Sequence, residues 1–516
     1  MIRDWRAQGP SRQSSRWWVL LAIASAIATY AFIGSAGGLS PWPRQMAYYD
    51  LLAEGFRNGH LYIPVAPAKQ LIAQVNPYDP KHSHWWFWDM SLYGAHYYLY
   101  WGPVPALLQA LAKSALSIRG MIGDQYLVFS AFALSAFFGG LLIERIASRV
   151  FDFVPIWLRA VMVLAFALAN PTPHLMASAG VYQASIAFGQ AFLLGGLLFA
   201  FDAVCASPRR TLDWRLPVAG ALWALAFGSR MSALPAATLL AVLTALACAW
   251  PARARFRSFA IQLLAIATPM LIAFGMLLIY NKLRFDSWLE SGISIQLSGL
   301  KFSFSTSYLL TNLYSYSLRP YVADCHFPYA MAPARIGSSA FPEGMAVPKG
   351  YLLIEPQVGW LRVVPVTWLL LAVPVGVVQR FRLLRDRTVR SEPPLPAPDL
   401  KPRAFLWCVA CFGVLASVTG AAELGLYLST MRYLSDVTNG LVLLGVLGSF
   451  LLCSWPSSRN TKRAVALACS VPALATVVFG LLLGYQGYTG HFKTYNPKLH
   501  GVLVEALSLC EDEKNP

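Results

Sequence analysis

The stretch WWVLLAIASAIATYAFIGSA, residues 17–36, decides the fold class of this chain. It contains no charged side chain, and about twenty apolar residues in a helix match the thickness of a bilayer core. Arginines precede it and no convincing cleavage site follows, so we expect a retained membrane span. Because basic residues collect on the cytoplasmic side of membranes, residues 1–16 are predicted to form a cytoplasmic tail.

The composition extends this prediction to the whole chain. Of its 516 residues, 57% are hydrophobic and 13% are charged, and the mean hydropathy is +0.50. A soluble protein of this length would not stay in solution with so apolar a composition, which indicates an all-α polytopic membrane protein. The net charge of +17 falls mostly in short loops between apolar runs, so it indicates membrane topology and no nucleic-acid partner.

Ten further apolar runs bring the predicted number of spans to eleven. The loops predicted to face inward are all basic, and two large segments, 37–123 and 281–356, face outward together with the tail 485–516. Any chemistry is therefore expected on the outer face. The further runs are about 125–144, 157–170, 181–204, 216–229, 232–250, 259–280, 357–378, 404–422, 436–455 and 464–484.

The first outer segment opens with AYYDLLAEGFRNGHLY, residues 47–62. Asp50 and Glu54 are four residues apart, so they share one face of a helix that we expect to lie on the membrane surface. A carboxylate at the membrane boundary is well placed to act as a base on a lipid head group. A solvated acidic stripe on an interfacial helix explains the same pair equally well.

The same segment contains WWFWDMSLYGAHYYLYW, residues 85–101, with nine aromatic rings and a single acid, Asp89. Two interpretations are open: an aromatic belt at the membrane–water interface, or a platform that stacks sugars around the acid. His96 and Tyr98 are candidates for supporting or acceptor-binding roles. The histidines of HSH (82–84) lack the spacing typical of zinc ligands, so no metal site is predicted there.

Arginines near the outer ends of spans are candidate phosphate ligands, because the planar guanidinium suits phosphate oxygens. Arg230 and Arg432 lie at such ends, and Arg319 lies in the second outer segment. A charge at this depth is costly unless it is paired or functional. The alternative for Arg432 is an ion pair with Asp436, four residues later. The sequence does not decide whether Cys325 and Cys510, both on the outer side, form a disulfide.

The order of these motifs resembles the GT-C superfamily of membrane glycosyltransferases, and most closely its bacterial branch of protein O-mannosyltransferases and the aminoarabinose transferase of lipid A. The motifs span most of the chain and would make residues 17–484 one GT-C-like domain. The motifs that carry the resemblance are YYDLLAEG, NPYDP, WDMSLYGAHYYLYWGPVPALL, YNKLRFDSWLESG and MRYLSD.

The resemblance implies an enzyme of a bacterial inner membrane that moves a hexose or pentose from a polyprenyl phosphate to a periplasmic acceptor, which is a lipid, a glycan or a protein. It gives Asp50 the role of catalytic base, and Arg230 and Arg432 the donor phosphate. Many relatives carry two adjacent acids at the first motif, whereas Tyr49 and Leu51 flank Asp50 here. This departure makes a divalent metal doubtful and leaves Glu54 and Asp89 as the nearby second acids.

Two other classes of protein remain open. A transporter or flippase is also polytopic and basic, but it should carry ionisable residues in the middle of several spans, and these spans carry almost none. A glycan polymerase or ligase would usually have one dominant outer loop late in the chain, and here the first loop is the richer one. The sequence identifies neither the sugar nor the acceptor.

Overall fold

A computed structural model describes residues 12–38, 40, 42–43, 46–206, 213–250, 255–298, 303–333, 341–353, 355–389, 400–488 and 490–510. These ranges contain nineteen α-helices and six short strands, which confirms the all-α class. The helices are α1 (Arg12–Gly34), α2 (Tyr48–Arg57), α3 (Lys69–Ile72), α4 (Val104–Ala115), α5 (Asp124–Val150), α6 (Ile156–Ala167), α7 (Thr172–Ala177), α8 (Val181–Val204), α9 (Arg215–Ser229), α10 (Leu234–Ala249), α11 (Arg255–Phe285), α12 (Leu309–Ser317), α13 (Trp360–Val363), α14 (Val373–Val389), α15 (Leu400–Leu424), α16 (Met431–Leu452), α17 (Arg459–Gln486), α18 (His491–Tyr495) and α19 (Pro497–Leu507).

The strands form three small two-stranded pairings outside the long helices. β1 (Ser91–Tyr93) pairs antiparallel with β2 (His96–Tyr98), and β3 (Val322–Ala323) pairs antiparallel with β4 (Ala330–Met331). β5 (Leu352–Leu353) runs parallel to β6 (Leu428–Ser429) and so ties the second outer segment to the loop before α16.

Eight helices in the described ranges are long and apolar enough to cross a bilayer, which makes this a multi-pass membrane protein. The predicted number of eleven spans is not confirmed. Three predicted spans, 157–170, 216–229 and 357–378, coincide with α6, with α9, and with the 3₁₀ helix Pro365–Ala372 followed by α14. α6 and α9 have only 12 and 15 residues.

Small residues let α8 run through the middle of the bundle. α8 is buried along nearly its whole length, whereas few residues of α11 are fully buried. A Cβ atom on Gly196 would lie 2.2 Å from the indole nitrogen of Trp223 on α9, so only glycine permits this approach. Close packing of this kind is how membrane helices associate when burial from water offers no driving force.

Contacts at the two ends of α8 show which segments lie at each end of the bundle. At one end, the hydroxyl of Tyr182 reaches Asp89 of the first outer segment. At the other end, Asp202 forms an ion pair with Arg149, in which Nη2 of the arginine lies 3.0 Å from Oδ1 of the aspartate. We call the end that holds Tyr182 and Asp89 the outer end, after the side of the membrane on which the sequence predicts its loops to lie.

Candidate functional site

Backbone contacts bring the two large outer segments together at the outer end. The amide of Asp89 donates to the carbonyl of Leu297 at 3.1 Å, and the amide of Leu297 donates to the carbonyl of Met90 at 2.8 Å. Ser91 forms a β-bridge with Gln296 and donates its hydroxyl to the carbonyl of Gly292. Residues about two hundred positions apart therefore build one surface around Asp89.

Asp89 occupies a left-handed backbone conformation with φ of +64°. This region is sparsely populated by residues other than glycine, although aspartate tolerates it better than most, and such residues cluster at functional sites. Its Oδ1 accepts hydrogen bonds from the Tyr182 hydroxyl at 2.8 Å and from the side-chain amide, Nε2, of Gln296 at 3.3 Å. Burial raises the pKa of Asp89, and the Tyr182 hydrogen bond, the charge of Arg432 and the Gln296 hydrogen bond oppose that rise.

Arg432 lies over the ring of Tyr182, the tyrosine whose hydroxyl contacts Asp89. Its Cζ is 4.2 Å from the centroid of the Tyr182 ring, and its Nη1 is 2.9 Å from Oε1 of Glu355. The alternative pair with Asp436 is wrong, because Arg432 pairs with Glu355 whereas Asp436 pairs with Arg230. Arg432 therefore joins α16, α8 and the second outer segment.

One guanidinium nitrogen of Arg230 forms ion pairs with two carboxylates. Its Nη2 lies 2.6 Å from Oδ2 of Asp436 and 3.1 Å from Oε1 of Glu423. The ring of Tyr433 lies between the two arginines, 5.7 Å from Cζ of Arg230 and 5.8 Å from Cζ of Arg432. The two arginines predicted as phosphate ligands are therefore neighbours, although each is already paired with acids.

The first outer segment packs against the end of α9, beside Arg230. A Cβ atom on Gly102 would lie 2.1 Å from the carbonyl oxygen of Gly228, so the chain can pass this point only as glycine. The preceding Trp101 meets the Tyr182 ring edge-on at 4.7 Å and stacks on Tyr100 at 4.0 Å. The GPVP motif thus anchors the aromatic stretch over the site.

Asp50 lies in a separate, buried network. Its side chain is 3% exposed, and its Oδ1 accepts hydrogen bonds from Lys113 Nζ at 2.8 Å, Gln109 Nε2 at 2.9 Å and the Ile122 amide at 3.1 Å. Asp124 holds the start of α2 in the same region, because its carboxylate accepts hydrogen bonds from the backbone amides of Tyr48 and Tyr49. The base role of Asp50 stays a prediction, while its contacts hold the first outer segment together.

Glu54 shares the cation of Asp50. Lys113 Nζ lies 2.6 Å from Oε1 of Glu54, and Arg57 Nη1 lies 2.9 Å from the same oxygen. The hydrogen bond from Lys113 lowers the pKa of Glu54. For Lys113, burial lowers the pKa, but the hydrogen bonds that its ammonium donates to Asp50 and Glu54 outweigh that effect, and the net pKa is raised.

The aromatic stretch places its rings on two faces, as expected for a short hairpin. His96 packs on Tyr62 with ring centroids 4.1 Å apart, and Tyr98 packs on Phe285 at 5.2 Å. Tyr97, on the opposite face, meets Phe87 at 5.5 Å. Most of these rings contact one another, and the acceptor roles of His96 and Tyr98 stay predictions.

Arg319 is a third predicted phosphate ligand and is only 1% exposed. Burial lowers its pKa, and the neighbouring Tyr314 and Tyr351 oppose that effect. Its role in donor binding stays a prediction.

The structure pairs Cys325 with Cys510 in a disulfide, with Cα atoms 5.8 Å apart. The bond links the second outer segment to the end of the chain. In the described part of the chain, these cysteines and His326 form the one group of three potential metal ligands that lie within reach of one ion. Because both thiols are used in the disulfide, this group fits a metal only after reduction.

Sequence reasoning missed Tyr182, Gln296 and Glu355. A tyrosine at a span end is usually an interface anchor, so Tyr182 carried no distinguishing signal. Glu355 and Gln296 lie in irregular loops whose neighbours only the tertiary structure defines. The pairing of Lys113 with Asp50 was also not predicted.

No protein-family model and no curated protein matches this chain. Among solved structures, it is similar to the archaeal oligosaccharyltransferase AglB from Archaeoglobus fulgidus in complex with an inhibitory peptide and a dolichol-phosphate. The identity is 12% and the TM-score 0.45, over 92% of this chain and 56% of that chain. The oligosaccharyltransferase tethered with an acceptor peptide matches with the same values.

ArnT from Cupriavidus metallidurans, in a structure bound to undecaprenyl phosphate, is also similar. The identity is again 12%, with a TM-score of 0.39, over 94% of this chain and 79% of ArnT. Both similar proteins are GT-C glycosyltransferases, the superfamily that the sequence motifs resemble. This chain spans little more than half the length of the oligosaccharyltransferase, and likeness at this level assigns it no donor, acceptor or residue role.

Proposed function

We propose that this protein is a glycosyltransferase that moves a hexose or pentose from a polyprenyl phosphate to an acceptor at the outer face of a bacterial inner membrane. The observation that carries the proposal is that one tyrosine, Tyr182, contacts both an acid and a cation. Asp89 accepts the Tyr182 hydroxyl at 2.8 Å, and the guanidinium of Arg432 lies over the ring of the same tyrosine. A base and a phosphate ligand are the two groups that this reaction requires.

In the proposed reaction, a carboxylate oxygen of Asp89 removes the proton from an acceptor hydroxyl. The acceptor oxygen then forms a bond to the anomeric carbon of the donor sugar while the bond from that carbon to the phosphate oxygen breaks. The electron pair of the broken bond leaves with the polyprenyl phosphate. Arg432, with Arg230 beside it, stabilises the negative charge that develops on this leaving group.

The base role is assigned to Asp89 in preference to Asp50, the residue that the sequence resemblance names. A general base must come within hydrogen-bond reach of the proton that it removes. Asp50 is almost fully buried and one of its oxygens already accepts three donors, whereas Asp89 is half-buried and lies beside Arg432. The raised pKa of Asp89 also makes it a stronger base than an exposed aspartate.

The alternative of a transporter finds less support in the distribution of charge. Arg230, Glu423 and Asp436 are mutually paired close to the outer end. The pair of Arg159 and Glu144 lies toward the opposite end, with Nη1 3.1 Å from Oε1. Ion pathways usually need ionisable residues near the middle of several spans.

A complementation experiment tests the proposed function. Cells lacking the protein are compared by mass spectrometry of their lipids and envelope glycans with cells that express the wild type, Asp89→Asn or the control Glu343→Gln. Glu343 is an exposed acid of the second outer segment. We expect the loss of one sugar from one acceptor, restored by wild type and control and not by Asp89→Asn. Loss of the same sugar together with a lipid-linked donor trapped on the cytoplasmic leaflet would instead indicate a flippase.

A further inference from the structure

Tyr182 contacts both Asp89 and Arg432, the acid and the cation of the proposed site. It lies in the first turn of α8, its hydroxyl donates to Oδ1 of Asp89, and its ring lies beneath Arg432. Trp101 packs edge-on against the same ring. The side chain is therefore held from one side by the aromatic stretch and by α16 from another.

We propose that Tyr182 is a positioning residue that fixes the acceptor-side acid and the phosphate-side arginine in one geometry: its hydroxyl orients Asp89 and its ring holds Arg432. This inference rests on the proposed function. The hydroxyl occupies Oδ1 of the carboxylate and so directs the other oxygen toward an acceptor. The face of an aromatic ring attracts a guanidinium, and that attraction grows when the pair is removed from water.

The pH at which Asp89 binds a proton distinguishes a positioning role of Tyr182 from a packing role. If Tyr182 only packed, removing its hydroxyl would leave this pH unchanged. The charged or titratable groups facing Asp89 come from several elements: Tyr48 of α2, Tyr100 before α4, Tyr182 of α8 and Arg432 of α16. Among these, the Tyr182 hydrogen bond and the Arg432 charge stabilise the carboxylate. Removing only the hydroxyl of Tyr182 should therefore raise the pH at which Asp89 takes up a proton.

Two substitutions separate the two contacts. Tyr182→Phe keeps the ring under Arg432 and removes the hydrogen bond, while Tyr182→Leu removes both. With Tyr182→Phe we expect the acidic limb of the pH–rate profile to move up by roughly one pH unit, with binding of undecaprenyl phosphate within about twofold of wild type. With Tyr182→Leu we expect the same shift and binding weakened roughly two- to fivefold. Tyr126→Phe, at a tyrosine in the first turn of α5, is the matched control and should change neither quantity.

The titration of Asp89 is measured independently of sugar transfer by infrared difference spectroscopy of the carboxyl band, assigned with Asp89→Asn. If wild type shows no transfer but Tyr182→Phe still shifts that band, the proposed function fails and the contact to Asp89 stands. If both Tyr182 variants lower thermal stability but leave the Asp89 band and the binding of undecaprenyl phosphate unchanged, Tyr182 only packs, and the inference is overturned.

Discussion

The ammonium of Lys113 lies 2.8 Å from Oδ1 of Asp50, and both side chains are almost completely buried. The pair joins α2 to α4, and the Ile122 amide on the same oxygen brings in the residues that precede α5. Removing one partner from a buried ion pair leaves an uncompensated charge, which costs more than the pair contributes. This contact therefore stabilises the packing of α2 against α4 within the first outer segment.

Asp50→Asn separates a structural role from a catalytic one. We expect a lower thermal unfolding temperature in detergent and a loss of roughly 2–3 kcal/mol, just below the cost of breaking an isolated buried pair because Glu54 still holds Lys113. Adding Lys113→Met removes the buried cation and should restore stability, and the double variant should transfer sugar at the wild-type rate because Asp89 is unchanged. A double variant that is stable yet inactive would return the base role to Asp50.

Asp89→Asn should lower kcat by about two to four orders of magnitude, since the amide cannot accept the acceptor proton. Binding of undecaprenyl phosphate and thermal stability should stay close to wild type, because the Tyr182 and Gln296 donors still find an amide oxygen. Steady-state kinetics on purified protein check this split. A variant that turned over at the normal rate would remove Asp89 from the reaction.

The pH dependence follows from the direction of the Asp89 shift. A base works only when it is deprotonated, and burial raises the pKa of Asp89 above the ordinary value of about 3.9. The rate should therefore be present at high pH and be lost as pH falls through the raised pKa, so the acidic limb lies above about pH 4. Profiles of kcat/KM against pH report this group in the free enzyme, and a limb below pH 4 would contradict the assignment.

Arg432→Gln should weaken the binding of undecaprenyl phosphate roughly tenfold or more, because a charge-assisted hydrogen bond is lost. Arg432→Lys should recover only part of that affinity, since an ammonium lacks the planar fork. Arg362→Gln, at an exposed arginine of α13, is the control and should bind normally. Equal binding by the Arg432 and Arg362 variants would place the phosphate elsewhere.

Glu355→Gln should have the opposite effect. The carboxylate lies 2.9 Å from Nη1 of Arg432 and competes with a phosphate for the same nitrogen. Neutralising it should tighten the binding of undecaprenyl phosphate roughly three- to tenfold, within the energy of one charge-assisted hydrogen bond. Calorimetric titration in detergent measures this change. Weaker binding would mean that Glu355 orients Arg432 for the ligand and does not compete with it.

Reduction of the Cys325–Cys510 disulfide should lower stability by about 2–4 kcal/mol, since the bond closes a loop of 185 residues. The check is thermal unfolding with and without a reductant. The double variant Cys325→Ser/Cys510→Ser should unfold at the temperature of the reduced wild type and be insensitive to reductant. If reductant still lowered the unfolding temperature of the double variant, the effect would come from elsewhere in the protein.

The sequence by itself determined the class of the protein and the position of most of its long helices. Apolar runs near twenty residues are a local property, so the spans at residues 17–36 and 181–204 correspond closely to helices found in the structure. The sequence also separated the two large loop segments from the spans and named Asp89, Arg230 and Arg432 as candidates. It could not rank the acids, because Asp50 and Asp89 differ only in what surrounds them.

Only the tertiary structure decided which charges meet. Asp89 and Tyr182 are 93 residues apart, and Arg230 and Glu423 are 193 apart, so no local pattern links them. Burial and partner identity depend on how helices pack, and packing here depends on close approaches such as Gly102 against Gly228. Hydrophobic length is encoded locally and can be read from the chain, whereas the site is assembled from distant segments.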